Sequence, residues 1–269
     1  SAARSFYDAT VVAAEGTHLY VSPGSVDTDG DMVVAKIAAD DLSVVGTPLS
    51  LPGFESVGAL VVAGSELLVV GTLFADEAGA TAGRITKVTT ADMTIYGSLD
   101  LADRDLVDAD LVSPHLYAVS LTGPLDRVLL TGGSVDDGGM IASATLDLDG
   151  DDATYAITIL DGHAYIADAG YGTVQVRKVE LPGGTGAMSI VGRLTLPDDE
   201  DFRTATNDGS SVFFGGYSAT APGLTARVIK VRPTGGTAEG AGGMVRVGAV
   251  DPTDPDGFAL QEVADLLHL

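Results

Sequence analysis

The chain has 269 residues, 45% of them hydrophobic, and a mean hydropathy of +0.28, which supports a large core and excludes wholesale disorder. It carries 38 acidic residues against 14 basic ones, a formal charge of −24 that excludes nucleic acid and anionic membrane as partners. It has no cysteine, hence no disulfides, Cys-ligated metal or thiol nucleophile, and no run of the roughly 18 apolar residues that cross a bilayer.

Taken in chain order, short apolar runs come in groups of four. The first group starts at 9–12, continues with His18-Leu19-Tyr20-Val21, has a third run ending in Lys36-Ile37, and closes with a run opened by Leu42. The second starts at 59–63, followed by Glu66-Leu67-Leu68-Val69, Lys87-Val88 and a run opened by Met93. The third has 109–112, His115-Leu116-Tyr117-Ala118, Arg127-Val128 in place of a lysine, an unusual Gly-rich hairpin at 131–139, and Met140. The fourth has 153–157, His163-Ala164-Tyr165-Ile166, Lys178-Val179 and Met188. The fifth has 203–206, Ser211-Val212-Phe213-Phe214, Lys230-Val231 and Met244. The second runs begin 48, 49, 48 and 48 residues apart, and all four lysines of the protein fall at one repeat position.

Four short strands per unit with turn residues between them read as antiparallel meanders. One such sheet cannot bury both faces, whereas five packed face to face can. The expected fold is all-β, a five-bladed β-propeller of four-stranded antiparallel blades over 1–255 with a repeat of about 48 residues, and a closing strand or capping helix at 256–269. Lysine near the end of the third strand is expected on the solvent side of an outer strand, where charge protects the edge. Methionine before the fourth strand is expected to fill gaps in the core.

The best copy of the repeat, Tyr165-Ile166-Ala167-Asp168-x-Gly-Tyr-Gly-Thr-Val-Gln-Val and then Ser189-Ile190-Val191-Gly192, resembles the LVIVD/YVTN class of surface-protein β-propeller repeats over about 35 residues. The chain departs from that class where Lys-Ile or Lys-Val replaces Val-Ile-Asp after the third strand. The resemblance implies a secreted or cell-surface scaffold and carries over no catalytic residue. A −24 surface suits a salty or calcium-rich medium, and Ser1-Ala2-Ala3 fits the end left by a cleaved leader.

Equivalent positions ten or eleven residues before each second strand are acidic in all five repeats: Asp8, Glu55, Asp105, Asp152 and Asp201. At the start of the innermost strands they would ring the channel mouth and offer hard oxygen ligands to Ca²⁺. The alternative is that aspartate suits the turn at that point. Asp27-Thr-Asp29-Gly30-Asp31 and Asp147-Leu-Asp149-Gly150-Asp151-Asp152 have calcium-loop features but lack the twelfth-position glutamate, and hairpin tips look the same. His18, His115 and His163 share one repeat position, and neighbouring blades would hold them too far apart for a three-histidine metal site. No G-x-S-x-G nucleophile elbow is present. These features lead to a non-enzymatic protein-binding or assembly scaffold in a larger extracellular assembly, with Ca²⁺ at the channel and no organic cofactor. The alternative is a cation-dependent carbohydrate-binding or carbohydrate-active protein using the carboxylates at the mouth.

Overall fold

The repeated runs become strands where the sequence places them. The computed structural model describes residues 11–23, 31–74, 81–121, 123–148, 153–169, 174–183, 186–196, 200–221, 223–236 and 242–250. Among these, twenty strands form five four-stranded antiparallel sheets. The first sheet is β1 (Val11–Glu15), β2 (His18–Ser22), β3 (Met32–Ala38) and β4 (Leu49–Leu51). The second is β5 (Phe54–Ala63), β6 (Glu66–Leu73), β7 (Ala82–Thr89) and β8 (Ile95–Ala102). The third is β9 (Leu106–Val112), β10 (His115–Ser120), β11 (Leu125–Leu129) and β12 (Ile141–Leu146). The fourth is β13 (Ala153–Leu160), β14 (His163–Ala169), β15 (Val174–Glu180) and β16 (Ser189–Leu196). The fifth is β17 (Glu200–Asn207), β18 (Val212–Ala221), β19 (Gly223–Arg232) and β20 (Val245–Val250). In every sheet, strands consecutive in sequence are neighbours in space, so each is a meander, and the five are the blades of a β-propeller. The segment 256–269 lies outside the described residues.

By contacts the chain divides into two compact units, 1–118 with 127–143, and 119–126 with 144–269. In the first, β5 packs against β1 and β9; in the second, β13 packs against β17. The cores explain why the second strands are continuously apolar instead of alternating. In β6, Leu67 and Val69 join Tyr20, Val34 and Leu51 of the first blade, while Leu68 and Val70 join Leu106, Leu116 and Val128 of the third. Successive side chains point to opposite faces, and both faces are covered, so every position is apolar. In the second unit, Tyr165 and Val176 of the fourth blade pack with Phe202, Phe214 and Ile229 of the fifth.

The methionines do fill the core: Met93, Met140 and Met244 sit in these three clusters and Met188 is buried. At the same repeat position in the first blade Leu42 is exposed, on a turn where both it and Met93 adopt φ 57°.

The Gly-rich hairpin of the third blade is shared, which corrects the expectation that it is peculiar to that blade. Gly132, Gly138 and Gly139 have φ 95°, 60° and 77°; Gly235, Gly242 and Gly243 of the fifth blade have φ 93°, 58° and 80°. The same hydrogen bond closes both hairpins, Gly133 N–H to Gly139 O at 2.7 Å and Gly236 N–H to Gly243 O at 2.8 Å. Positive φ at these positions is the physical reason for glycine.

Candidate functional site

Two of the five acidic positions have described side chains, and they do different things. Glu55 is exposed on β5. Asp105, just before β9, accepts a hydrogen bond from Thr72 Oγ1 of β6 at 2.7 Å, so it ties the second blade to the third. Asp201 lies on β17 opposite Tyr217. Asp8 and Asp152 fall outside the described residues. Among the described residues no group of three or more His, Asp or Glu is placed to hold a metal ion. Of the two calcium-like runs, Asp31 and Asp147 are described; Asp31 accepts from Ser50 Oγ at 3.3 Å and Gly53 N–H at 3.4 Å, which ties the start of β3 to β4 and to the turn after it. His18, His115 and His163 open β2, β10 and β14, each in its own sheet. Burial, helped by the Arg127 charge, pulls the His115 imidazole below its usual range.

The repeated lysine is the main correction to the sequence reading. Lys87 is 4% exposed and Lys178 is 8% exposed, so neither is a solvent-facing edge residue. Each reaches into the next blade and donates to main-chain carbonyls there. Lys36 Nζ bonds Thr90 O at 2.7 Å, Lys87 Nζ bonds Leu130 O at 2.7 Å, and Lys178 Nζ bonds Pro233 O at 3.3 Å and Gly242 O at 3.2 Å. A buried ammonium needs such partners, because leaving it unpaired would be very unfavourable. Aromatic faces complete the surroundings: Lys36 lies 6.0 Å from the Tyr20 ring centroid, Lys178 5.9 Å from Tyr165, Lys230 5.1 Å from Phe213 and Lys87 5.9 Å from Tyr96. In strand register the lysine faces Tyr20, Tyr165 and Phe213 directly, whereas Leu68 faces Lys87 and Tyr96 of β8 supplies the ring instead.

On its other side the lysine faces a glycine: Lys87 pairs with Gly97, Lys178 with Gly192 and Lys230 with Gly248, each beside a register shift. The reason is close approach of the next blade. A Cβ on Gly97 would stand 2.1 Å from Gly138 N, and one on Gly242 would stand 2.8 Å from Val191 O and 2.9 Å from Gly192 Cα. Gly97 and Gly192, four residues after Met93 and Met188, therefore make room for the hairpin of the next blade.

Around Lys87 this packing leaves a cavity of about 400 Å³, lined by the turn after β5, the start of β6, the end of β9 and the end of β11. Val62, Ala63, Leu111, Pro114 and Leu130 form apolar walls; Glu66 and Lys87 bring the charges. Lys87 Nζ stands 3.4 Å from Glu66 Oε2, and Tyr96 hydroxyl donates to Glu66 Oε1. Burial and that hydrogen bond raise the Tyr96 phenol above its ordinary range.

A buried ion pair belongs to the fourth blade. Arg177 Nη1 meets Asp168 Oδ2 at 2.8 Å, and Thr154 donates to Asp168 Oδ1 at 3.0 Å. Both charges are withdrawn from solvent and pair diagonally across the neighbouring strands β14 and β15. Their signal in the sequence was the isolated Asp168 ending an apolar run and Arg177 inside another.

The outermost strands expose apolar side chains at matching places. Val44, just before β4, Ile95 and Tyr96 on β8, Ile141 on β12, Val191 on β16 and Val247 on β20 are each between 36% and 47% exposed. They lie one to three residues after the Leu42 or Met position, on the strand or turn that ends each sheet.

No protein-family model and no curated protein matches the chain. Solved structures do. A hypothetical selenium-binding protein from Sulfolobus tokodaii aligns at 14% identity over 89% of this chain and 65% of its own, with a TM-score of 0.58. Hydrazine synthase of Kuenenia stuttgartiensis aligns at 13% identity over 93% of this chain and 68% of its own, with a TM-score of 0.65. A protein from Lactobacillus plantarum aligns at 13% identity over 90% and 69%, with a TM-score of 0.63. The chain thus spans about two thirds of the length of the structures it matches. Likeness at this level of identity carries the fold alone, and that fold is the five-bladed β-propeller built from the sheets above.

Proposed function

We propose that this β-propeller is a non-enzymatic binding and assembly module that works outside the cytoplasm, holding a protein partner along the outer strands of its blades. The observation that carries the proposal is the recurrence of half-exposed apolar residues on those strands in four sheets, and on the segment before the outer strand in the first. An edge strand offers unpaired backbone donors and acceptors as well as side chains, so a partner can add both main-chain hydrogen bonds and apolar contact. The charge of −24 selects a partner whose contact surface is basic around an apolar centre. The resemblance to surface-protein repeats and the acidic composition support a secreted or cell-surface location. Calcium at the acidic starts of the inner strands belongs to the same proposal, supported by the hard oxygen ligands at those repeat positions.

The test is crosslinking in intact source cells, followed by fractionation and sizing of the tagged chain, beside an Ile95→Lys/Val191→Lys variant. The expected result is a crosslinked species outside the cytoplasm that the double variant loses while its melting temperature is kept. A chain that is monomeric in every fraction, or that crosslinks equally well in the variant, overturns the proposal.

A further inference from the structure

We infer that the cavity between the second and third blades is a binding site for a small organic cation, a primary amine carrying a compact apolar body. Of the outer-strand residues only Tyr96 takes part; the cavity walls lie on β5, on β9 and just after β11. The cavity of about 400 Å³ has room for such a molecule, and its walls at Val62, Ala63, Leu111 and Leu130 suit an alkyl or aryl group.

The two charges at its edge are not equivalent. The Lys87 side chain is 5% exposed, held back by Leu130 O at 2.7 Å, whereas the Glu66 side chain is 32% exposed. An arriving ligand therefore meets the carboxylate and not the ammonium behind it. Glu66 already accepts from Tyr96 on Oε1 and from Lys87 on Oε2. A carboxylate offers about four lone-pair sites, so it has capacity for another charged donor. Lys87 and Tyr96 also hold the carboxylate in place, which lowers the ordering needed on binding. The field of a −24 protein concentrates cations near its surface and repels anions, which favours an amine over a carboxylate ligand.

The experiment is titration of the full chain, at physiological salt, with three probes of one shape: 2-phenylethylamine, 2-phenylethanol and 3-phenylpropionate. Binding is followed by calorimetry and by methyl shifts of Val62, Leu111 and Leu130. The amine is expected to bind saturably and about ten-fold more tightly than the alcohol, as one charge-assisted contact provides. Glu66→Gln should remove that preference, and Ala63→Phe, which fills the cavity, should abolish binding with the fold intact by circular dichroism. Equal binding of amine and alcohol, preference for the carboxylate probe, amine binding undiminished in Ala63→Phe, or no saturable binding at millimolar probe each overturn the inference. If Glu66→Gln fails to fold, the probe series on the wild-type chain and Ala63→Phe still decide it.

Discussion

Replacing Lys87 by Met tests whether the buried lysine holds adjacent blades together. Methionine keeps most of the side-chain volume, so the perturbation removes the ammonium and leaves the stem. Lys87 Nζ donates to Leu130 O at 2.7 Å, and a hydrogen bond from a charged group contributes about 1.5–3 kcal/mol. Its loss leaves the Leu130 carbonyl buried without that donor, while relief of the ammonium's desolvation offsets part of the effect. Glu66 is one-third exposed and keeps Tyr96, so water covers its share. The net expectation is a loss of about 2 kcal/mol, or a fall in Tm of about 4–8 °C for a chain of this size. Thermal unfolding followed by circular dichroism reads this directly. Arg84→Met is the comparison. Its bidentate pair with Asp100, at 2.6 and 2.7 Å, is solvent-exposed and should be worth less than about 1 kcal/mol. If Lys87→Met melts within about 1 °C of the wild type, or no lower than Arg84→Met, the interblade bond is not a stabilising one and the reasoning fails.

Gly97→Ala should destabilise by roughly 3 kcal/mol or more, because its Cβ would meet the backbone of Gly138 at 2.1–2.2 Å. Gly16→Ala, in open space at φ 57°, should cost only about 1 kcal/mol of backbone strain; denaturant midpoints that coincide for the two refute the close-approach explanation. Burial first, and for Tyr20 the hydrogen bond to Glu15, push the Tyr20 and Tyr165 phenols up to about 12. The unfolded chain loses these protons near pH 10 and the folded one does not, so their contribution is full below pH 10 and is lost as pH rises from 10 through 12. Ultraviolet titration should show at least three tyrosines, Tyr96 with these two, ionising only with alkaline unfolding; ionisation of all eight near pH 10 with the fold intact would contradict it. Millimolar Ca²⁺ should raise the Tm over that in chelator, with the increment reduced in Glu55→Gln; a melt indifferent to calcium refutes a cation at the acidic positions.

The number of blades, the order of strands and the burial of the methionines are legible in the amino-acid sequence. Each of these follows from periodicity: an apolar run with turn residues on both sides folds locally, and five copies at one spacing must bury their faces on one another. The continuous apolar character of Leu67 to Val70 already required cover on both faces. The direction in which polar groups point depends instead on contacts between blades. A lysine next to an apolar residue reads the same whether it faces water or the carbonyl oxygens of the next blade. Its partners, Thr90, Leu130 and Gly242, lie 43 to 64 residues away, and no local pattern encodes them. The shared conformation of the Gly-rich hairpins at Gly133 and Gly236 was hidden for a related reason: the loops differ in length and composition, and only the folded backbone brings out their matching φ angles and closing hydrogen bond. The same holds for the acidic positions. Their common place in the repeat was visible in the sequence, but Asp105 is turned toward Thr72 because the second blade presents a hydroxyl there, while Glu55 has solvent beside it. Repetition thus specifies the backbone, and the contacts between successive copies decide which of its charged residues are structural.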